Sequence, residues 1–121
     1  MQLSRDGNYL FASTRSWEND EANGYVAAFA VGPDGYLESE DAVTFYEAPV
    51  TLGSGGGLRV AFWEDETNSN PDSITDYMYL SDTSEGFMYI LGWTPSNYSI
   101  DVVATIQYAN EDAPYEAVWL D

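Results

Sequence analysis

The chain has 121 residues, of which 21 are acidic and only 3 basic, and its net charge of −18 argues against nucleic acid or an anionic membrane as a partner. It contains no histidine and no cysteine, which excludes a disulfide framework, a thiolate zinc site and serine–histidine catalysis by this chain alone. Hydrophobic residues make up 45% and aromatic residues 16%, which suits one globular domain and favours β structure.

Strand-like runs bounded by turn residues follow one another along the chain, and no segment keeps a helical apolar period. The Asp-Gly pairs at 6–7 and 34–35 are typical of tight hairpin turns, where a positive φ is wanted. The first group of predicted strands covers 9–15, 24–31 and 42–47. The second covers 59–64, 77–82, 86–93 and 101–108, and a last short strand is predicted over 116–120.

The second group of strands repeats the first. Tyr9 aligns with Tyr77 and Gly24 with Gly86, at offsets of 68 and 62 residues, and a head segment before residue 9 completes the first unit. Repetition of a four-stranded antiparallel unit builds a β-propeller. Apolar residues on both alternating faces of the middle runs are typical of a sheet covered on both sides. The predicted fold class is therefore all-β: a partial β-propeller of about two blades plus one extra inner strand.

The repeat also sets the expected domain organisation. Residues 1–50 form a first blade with an incomplete inner strand, 51–110 a second blade, and 111–121 the inner strand of the next. Because a closed propeller needs four blades or more, we expect two wide apolar blade faces to be exposed, with self-association through them. Neither a signal peptide nor an apolar run long enough to span a bilayer is visible, so no membrane partner and a cytoplasmic location are expected.

Five segments resemble, in order, one known family. They are LSRDGNYLFASTR (3–15), GYVAAFAVGPDGYL (24–37), TLGSGGGLRVAFWED (51–65), YMYLSDTSEGFMYILGW (77–93) and APYEAVWLD (113–121). They resemble the C-terminal third of the fungal carboxy-cis,cis-muconate cyclases, or 3-carboxymuconate lactonizing enzymes, which are seven-bladed propellers of the lactonase family. The resemblance covers the whole chain.

This resemblance implies an isomerase of aromatic catabolism, in the β-ketoadipate pathway. The reaction is the cycloisomerisation of 3-carboxy-cis,cis-muconate to a muconolactone, without a cofactor, so the expected partner is a small polycarboxylate or lactone. The family's other catalytic residues lie in blades that this chain does not contain, and the isolated chain is expected to be inactive. Sister propellers imply one alternative, a lactonase of the 6-phosphogluconolactonase type. A second alternative is a non-catalytic binding or scaffold propeller fragment.

Arg15 is the candidate catalytic residue. The family places an arginine at the Thr-Arg pair that matches Thr14-Arg15, and a guanidinium there would clamp a substrate carboxylate. Since neighbouring strands are antiparallel, the end of strand 9–15 and the beginning of strand 59–64 should lie at one mouth of the propeller. The alternative is that Arg15 makes only an exposed ion pair with the acidic loop that follows.

Four further residues are candidates for substrate binding. Arg59 and Glu116 begin inner strands at the same mouth, but both depart from the family's residues, and they could instead pair with each other. These departures favour the scaffold alternative. Gly55 and Gly56, within the run GSGGG, could bind an anion through backbone N–H groups, or could let the chain pass close to the propeller axis.

Two other groups of residues allow a functional and a structural interpretation. The oxygen-rich loop 64–73 could hold Ca²⁺, but its spacing is not that of an EF-hand, and a solvated loop is favoured. No metal is therefore expected. An aromatic set could stack on sugars, but its period of two within strands favours packing between blades. This set comprises Tyr77, Tyr79, Phe87, Tyr89 and Trp93.

Overall fold

The computed structural model describes residues 1–14, 23–48, 73–81 and 86–108, and the backbone alone of 58–61 and 82. This part of the chain is all-β and forms two four-stranded antiparallel sheets. The first sheet comprises β1 (Gln2–Leu3), β2 (Tyr9–Ser13), β3 (Tyr25–Ala30) and β4 (Thr44–Glu47). The second comprises β5 (Leu58–Ala61), β6 (Asp76–Asp82), β7 (Phe87–Thr94) and β8 (Ser99–Gln107). Within each sheet the spatial order of strands is the chain order.

Tight turns set the register of the first sheet. Gly7 and Gly35 have φ values of +74° and +84°, the left-handed conformation that glycine adopts at little cost. Each closes a turn by donating its N–H to the carbonyl three residues earlier, Gly7 to Ser4 and Gly35 to Gly32, both at 3.0 Å. The positive φ predicted for both Asp-Gly pairs is confirmed.

The second sheet is longer and less regular. Ile90 of β7 pairs with Ala104 and Leu91 with Val102, so Val103 of β8 is the extra residue of a β-bulge. The turn from β7 to β8 is a short 3₁₀ helix, Pro95–Asn97, with proline at its first position. Tyr98 follows it with φ at +52°, an uncommon conformation for a non-glycine residue.

The two sheets pack face to face around one hydrophobic core. The first sheet contributes Phe11, Val26 and Ala28, all fully buried. The second sheet contributes the side chains that alternate inward on its middle strands, namely Met78, Leu80, Tyr89, Leu91 and Trp93. β1 lies against β5 and β4 against β8, so the sheets are stacked with like strands together.

The outward faces of the two sheets differ. On the second sheet Tyr79, Ser81 and Met88 are buried on the face turned away from the first sheet, so this sheet is covered on both sides, as its apolar pattern predicts. On the first sheet the outward face is open, and Phe45 is 63% exposed. The expectation of two exposed apolar faces is therefore wrong for the middle of the second sheet, where the side chains are already covered. It is right for the first sheet.

The predicted strands are found wherever the structure describes the chain, and the strand ends that it describes are shifted by no more than two residues. The head segment before residue 9 forms the two-residue strand β1. The predicted inner strand of 111–121 lies outside the described residues, as does the loop 64–72. In the described part of the chain, no helix has the length and apolarity needed to cross a bilayer.

Candidate functional site

The stacked sheets have two rims, and each collects a different set of side chains. The Ser4–Gly7 turn lies beside the start of β6, because the N–H of Arg5 donates to the Asp76 carboxylate at 3.0 Å. We call this edge the turn rim. The other edge, the far rim, holds the end of β2 and, by antiparallel pairing of Leu58 with Leu80, the beginning of β5.

Thr14 fixes the end of β2 at the far rim. Its N–H donates to the carbonyl of Tyr25 at 2.9 Å, and its hydroxyl oxygen accepts from the N–H of Tyr25, also at 2.9 Å. Beside it the Asn23 side-chain amide donates to Glu47 at 3.0 Å. The Thr-Arg pair singled out in the sequence thus begins with a residue held by two hydrogen bonds.

The predicted site residues fall almost entirely outside the part of the chain that the structure describes. Arg15, Gly55, Gly56 and Glu116 lie outside it, and their predicted roles stay predictions. For Arg59 the backbone is described: it belongs to β5 and pairs with Tyr79 of β6. The start of β5 and Thr14 share the far rim, which is the relation that the antiparallel order predicts.

The turn rim holds a compact polar junction between the sheets. Asp76 is 2% exposed, and burial raises the pKa of its carboxyl even though the Arg5 N–H and the Thr75 hydroxyl both donate to it. Asp6 behaves oppositely. Burial alone would raise the pKa of Asp6, but hydrogen bonds from the Ser4 hydroxyl and from Asn8 together lower it. The surroundings of this one turn therefore shift the pKa values of two carboxyl groups in opposite directions.

A cleft of about 390 Å³ opens on the turn rim, between the hairpin turns of the first sheet and the 3₁₀ turn of the second. It is lined by Asn8, Tyr9, Ala30, Val31, Pro33, Glu38 and Tyr98. The rings of Tyr9 and Tyr98 meet edge to face, with centroids 6.2 Å apart and an angle of 69° between planes. The unusual φ of Tyr98 belongs to the residue that forms one wall of this cleft.

Trp93 supports the cleft from the core side. Its ring centroid lies 5.0 Å from that of Tyr9 and 5.4 Å from that of Phe11, both edge to face, and it stacks on Tyr98 at 6.5 Å. Trp93 is fully buried, and its Nε1–H has no hydrogen-bond acceptor. Edge-to-face aromatic neighbours partly compensate such a donor, because an aromatic face is a weak acceptor.

Both burial and neighbouring charges at this rim affect the pKa of the Tyr9 hydroxyl. Desolvation raises the pKa of Tyr9, and the neighbouring Tyr98 and the carboxylates of Asp6 and Glu38 raise it further. Tyr9 therefore stays neutral over the physiological range and cannot act there as a base. Among the described residues, no three metal-ligating side chains gather at one place.

Sequence reasoning missed the cleft, because its walls come from segments that are far apart in the chain. Tyr9 and Tyr98 are brought together only by the stacking of one sheet on the other. The cluster Thr94-Pro95-Ser96-Asn97 is a recognisable turn signal, and it could have drawn attention to the aromatic residue that follows. Of the aromatic set, Tyr89 and Trp93 pack in the core between the two sheets, and Tyr79 is buried on the other face of the second sheet; their role between propeller blades stays a prediction.

No protein-family model matches this chain, and a search of curated proteins finds no match to it. Function is therefore inferred from the residues and from the geometry of the two sheets.

Proposed function

We propose that this chain is part of a lactonase-type β-propeller whose parent activity is the cycloisomerisation of 3-carboxy-cis,cis-muconate to a muconolactone. The observation that carries the proposal is structural repetition: two four-stranded antiparallel sheets with the same strand order, at offsets near sixty residues, packed like strand on like strand. Radial repetition of such sheets is how propellers are built. The sequence resemblance supplies the activity.

The faces of the repeat also support a propeller. In the second sheet Met78 and Leu80 point at the first sheet and are fully buried. Their equivalents at an offset of 68 residues are Leu10 and Ala12, which lie on the opposite, open face of the first sheet. The face that the second sheet packs against the first sheet therefore corresponds to the face that the first sheet leaves open. In a propeller, a further blade would pack on this open face.

In the proposed reaction one substrate carboxylate adds to a carbon–carbon double bond. A carbon–oxygen bond forms as the carbon–carbon π bond breaks, and the π electrons move to the adjacent carbon. That carbon takes one proton from water, so the lactone has the composition of the carboxylate substrate plus one proton. Arg15 would clamp a second carboxylate through its bidentate guanidinium and stabilise the developing negative charge. Thr14, the residue before Arg15 in the sequence, is held at the end of β2 by two hydrogen bonds with Tyr25.

The other predicted binding residues complete this proposal at the far rim. Arg59 would add a second cation, Gly55 and Gly56 would offer backbone N–H groups, and Glu116 would adjust the charge around them. The proposed substrate is anionic, and the net charge of −18 on the chain repels anions. A local pair of arginines would have to overcome that repulsion, and for this reason a scaffold without activity stays the alternative.

The test begins with the molar mass of the purified chain by light scattering. A closed trimer or tetramer would be assayed for loss of the muconate diene absorbance, and a monomer is expected to show none. In an active assembly Arg15→Ala should lower kcat by about a hundredfold or more, as loss of one charge-stabilising donor does. Arg5→Ala, at the turn rim, is the matched control and should leave the rate unchanged.

The same assembly also separates the alternatives. Hydrolysis of 6-phosphogluconolactone without conversion of muconate would identify a lactonase. A closed assembly that converts neither compound would identify a scaffold, and the cyclase proposal would then be wrong. Conversion of muconate that survives Arg15→Ala would overturn the role given to Arg15 and leave the cyclase assignment standing.

A further inference from the structure

We propose that the turn-rim cleft binds an alkylammonium group, with the cation in the corner formed by the rings of Tyr9 and Tyr98 and its charge balanced by Glu38. This inference does not depend on the propeller assignment or on the reaction proposed for the far rim. It follows from three features that coincide at the cleft: two aromatic side chains, a carboxylate and few other polar side chains that could bind a metal ion.

The aromatic corner is the first feature. Both tyrosines line the cleft, and their ring planes meet at 69°. Steeply inclined aromatic walls are the arrangement by which proteins recognise quaternary ammonium groups, since the negative faces of the rings attract the cation. Trp93 packs behind both rings and holds the corner in place.

The charge of the rim is the second feature. Glu38 lines the cleft, and the field of its carboxylate reaches the Tyr9 hydroxyl. Asp6 contributes to the same field from the adjoining turn. With a net charge of −18 on the whole chain, the local potential concentrates cations and repels anions.

The lining also decides between an organic cation and a bare metal ion. Hard cations such as Ca²⁺ take six or more oxygen ligands, whereas this cleft offers the carboxylate of Glu38 and the amide of Asn8 as its non-aromatic polar side chains. The remaining lining residues, Ala30, Val31 and Pro33, add no charged or polar side-chain group that could bind a metal ion. The cleft therefore favours a soft, partly apolar cation.

The test is a two-dimensional ¹H–¹⁵N NMR titration of the whole chain with tetramethylammonium chloride, at constant ionic strength kept with sodium chloride. We expect saturable shifts at the backbone amides of Glu38 and Tyr98. tert-Butanol, the neutral compound of similar shape, should give no saturable shift. Equal responses to tert-butanol, or shifts that stay linear in concentration, would overturn the proposal.

Substitutions then locate the binding. Tyr98→Ala and Glu38→Gln should each weaken the affinity by about two- to fivefold, the size expected for one exposed cation–aromatic or ionic contact. Tyr98→Phe keeps the ring and should keep the affinity, which separates loss of the ring from disturbance of the turn. The matched controls are Tyr36→Ala and Glu40→Gln, both exposed residues of the same hairpin that do not line the cleft. Controls that weaken binding equally would show only general attraction to an acidic surface.

A second pair of probes distinguishes the source of the ammonium group. Choline represents a free small molecule, and a short peptide with one trimethyllysine represents the side chain of a protein partner. Affinity for the peptide at least tenfold above that for choline would indicate a protein partner, and equal affinity would indicate a small amine. Failure of both to bind would contradict the proposal in either form.

Discussion

The backbone N–H of Arg5 and the carboxylate of Asp76 join the two sheets through a hydrogen bond of 3.0 Å. Arg5 lies in the turn between β1 and β2, and Asp76 is the first residue of β6. The bond therefore ties a turn of one repeat to the strand start of the next. Because Asp76 is almost fully buried, the ionised carboxylate gives up hydration that two hydrogen bonds only partly replace.

We predict that Asp76→Asn is at least as stable as the natural chain at pH 7. The pKa of Asp76 is raised by burial, so its stabilising protonated form is present below the ordinary value of 3.8 and is lost as the pH rises through the raised folded value. Asparagine has no such loss, and its carbonyl can still accept from Arg5. The free energy of unfolding, measured with denaturant between pH 3 and pH 8, should show a difference that grows in favour of the variant as the pH rises.

Asp76→Ala is the contrasting variant. It removes both carboxylate oxygens, so the Arg5 N–H loses this acceptor, which should cost about 1–3 kcal/mol at pH 3 and less as the pH rises, because the natural chain then loses the stabilisation from protonated Asp76. An asparagine variant that is less stable than the natural chain by a constant amount at every pH would show that the charge of Asp76 is well solvated or paired.

Gly7→Ala should lower the free energy of unfolding by about 1 kcal/mol, because alanine is strained at a positive φ. Gly7 has φ at +74°, and a Cβ there would meet no atom within 4 Å, so no steric clash adds to the backbone cost. Gly7→Asn should cost less, since asparagine tolerates the left-handed region better. Denaturant midpoints of the three proteins give the order directly. A loss as large as 3 kcal/mol for alanine would mean that the turn contributes more than its backbone conformation.

Much of the fold could be predicted because its signals are local. Asp6-Gly7 marks a turn through its residue types alone, and the repeat of Tyr9 at Tyr77 marks the unit. The loss of alternation in the middle strands indicates a sheet covered on both faces, and Tyr79 and Met88 on the far face of the second sheet are indeed buried.

The candidate site could not be predicted in the same way, because it depends on contacts between sheets. The cleft needs Tyr98 in a left-handed conformation that sequence preferences disfavour for tyrosine. It also needs Glu38 and Tyr9 at the same edge. Tyr9 pairs with Ala30, and the turn after β3 brings the N–H of Glu38 to the carbonyl of Ala30 at 3.0 Å. In the sequence, Asp76 is an ordinary carboxylate beside a predicted strand. Only the structure shows that it is buried and accepts a hydrogen bond from the N–H of Arg5.

A side chain at Gly92 is predicted to crowd its neighbours, and a second substitution can relieve that crowding. A Cβ at Gly92 would lie 2.6 Å from Cδ1 of Ile74 and 3.1 Å from Cγ2 of Val103. Because Cδ1 is the free end of the half-buried Ile74 side chain and can move aside, Gly92→Ala should destabilise the chain by about 1 kcal/mol, the low end of the cost of overpacking. Ile74→Val removes the Cδ1 atom and should recover most of the loss in the double variant. Additive losses in this double-mutant cycle, measured by denaturant unfolding, would mean that the two residues do not compete for the same space.

The open face of the first sheet leads to a prediction about association. Phe45 is 63% exposed and packs edge to face on Tyr25, at a centroid distance of 5.6 Å. An exposed apolar sheet face is a surface through which chains associate. Phe45→Thr keeps the β propensity of the position and removes the ring, so it should lower the average molar mass seen by light scattering at a given concentration without lowering the unfolding midpoint.

Tyr36 gives the matched control for that substitution. It is 76% exposed but belongs to the turn between β3 and β4, away from the sheet face, so Tyr36→Thr should leave the molar mass unchanged. Since each chain carries a charge of −18, association should also strengthen with salt, because screening weakens the repulsion while the apolar contact persists. If Phe45→Thr and Tyr36→Thr lower the molar mass equally, or if salt disperses the assemblies, the open face of the first sheet is not the surface of contact.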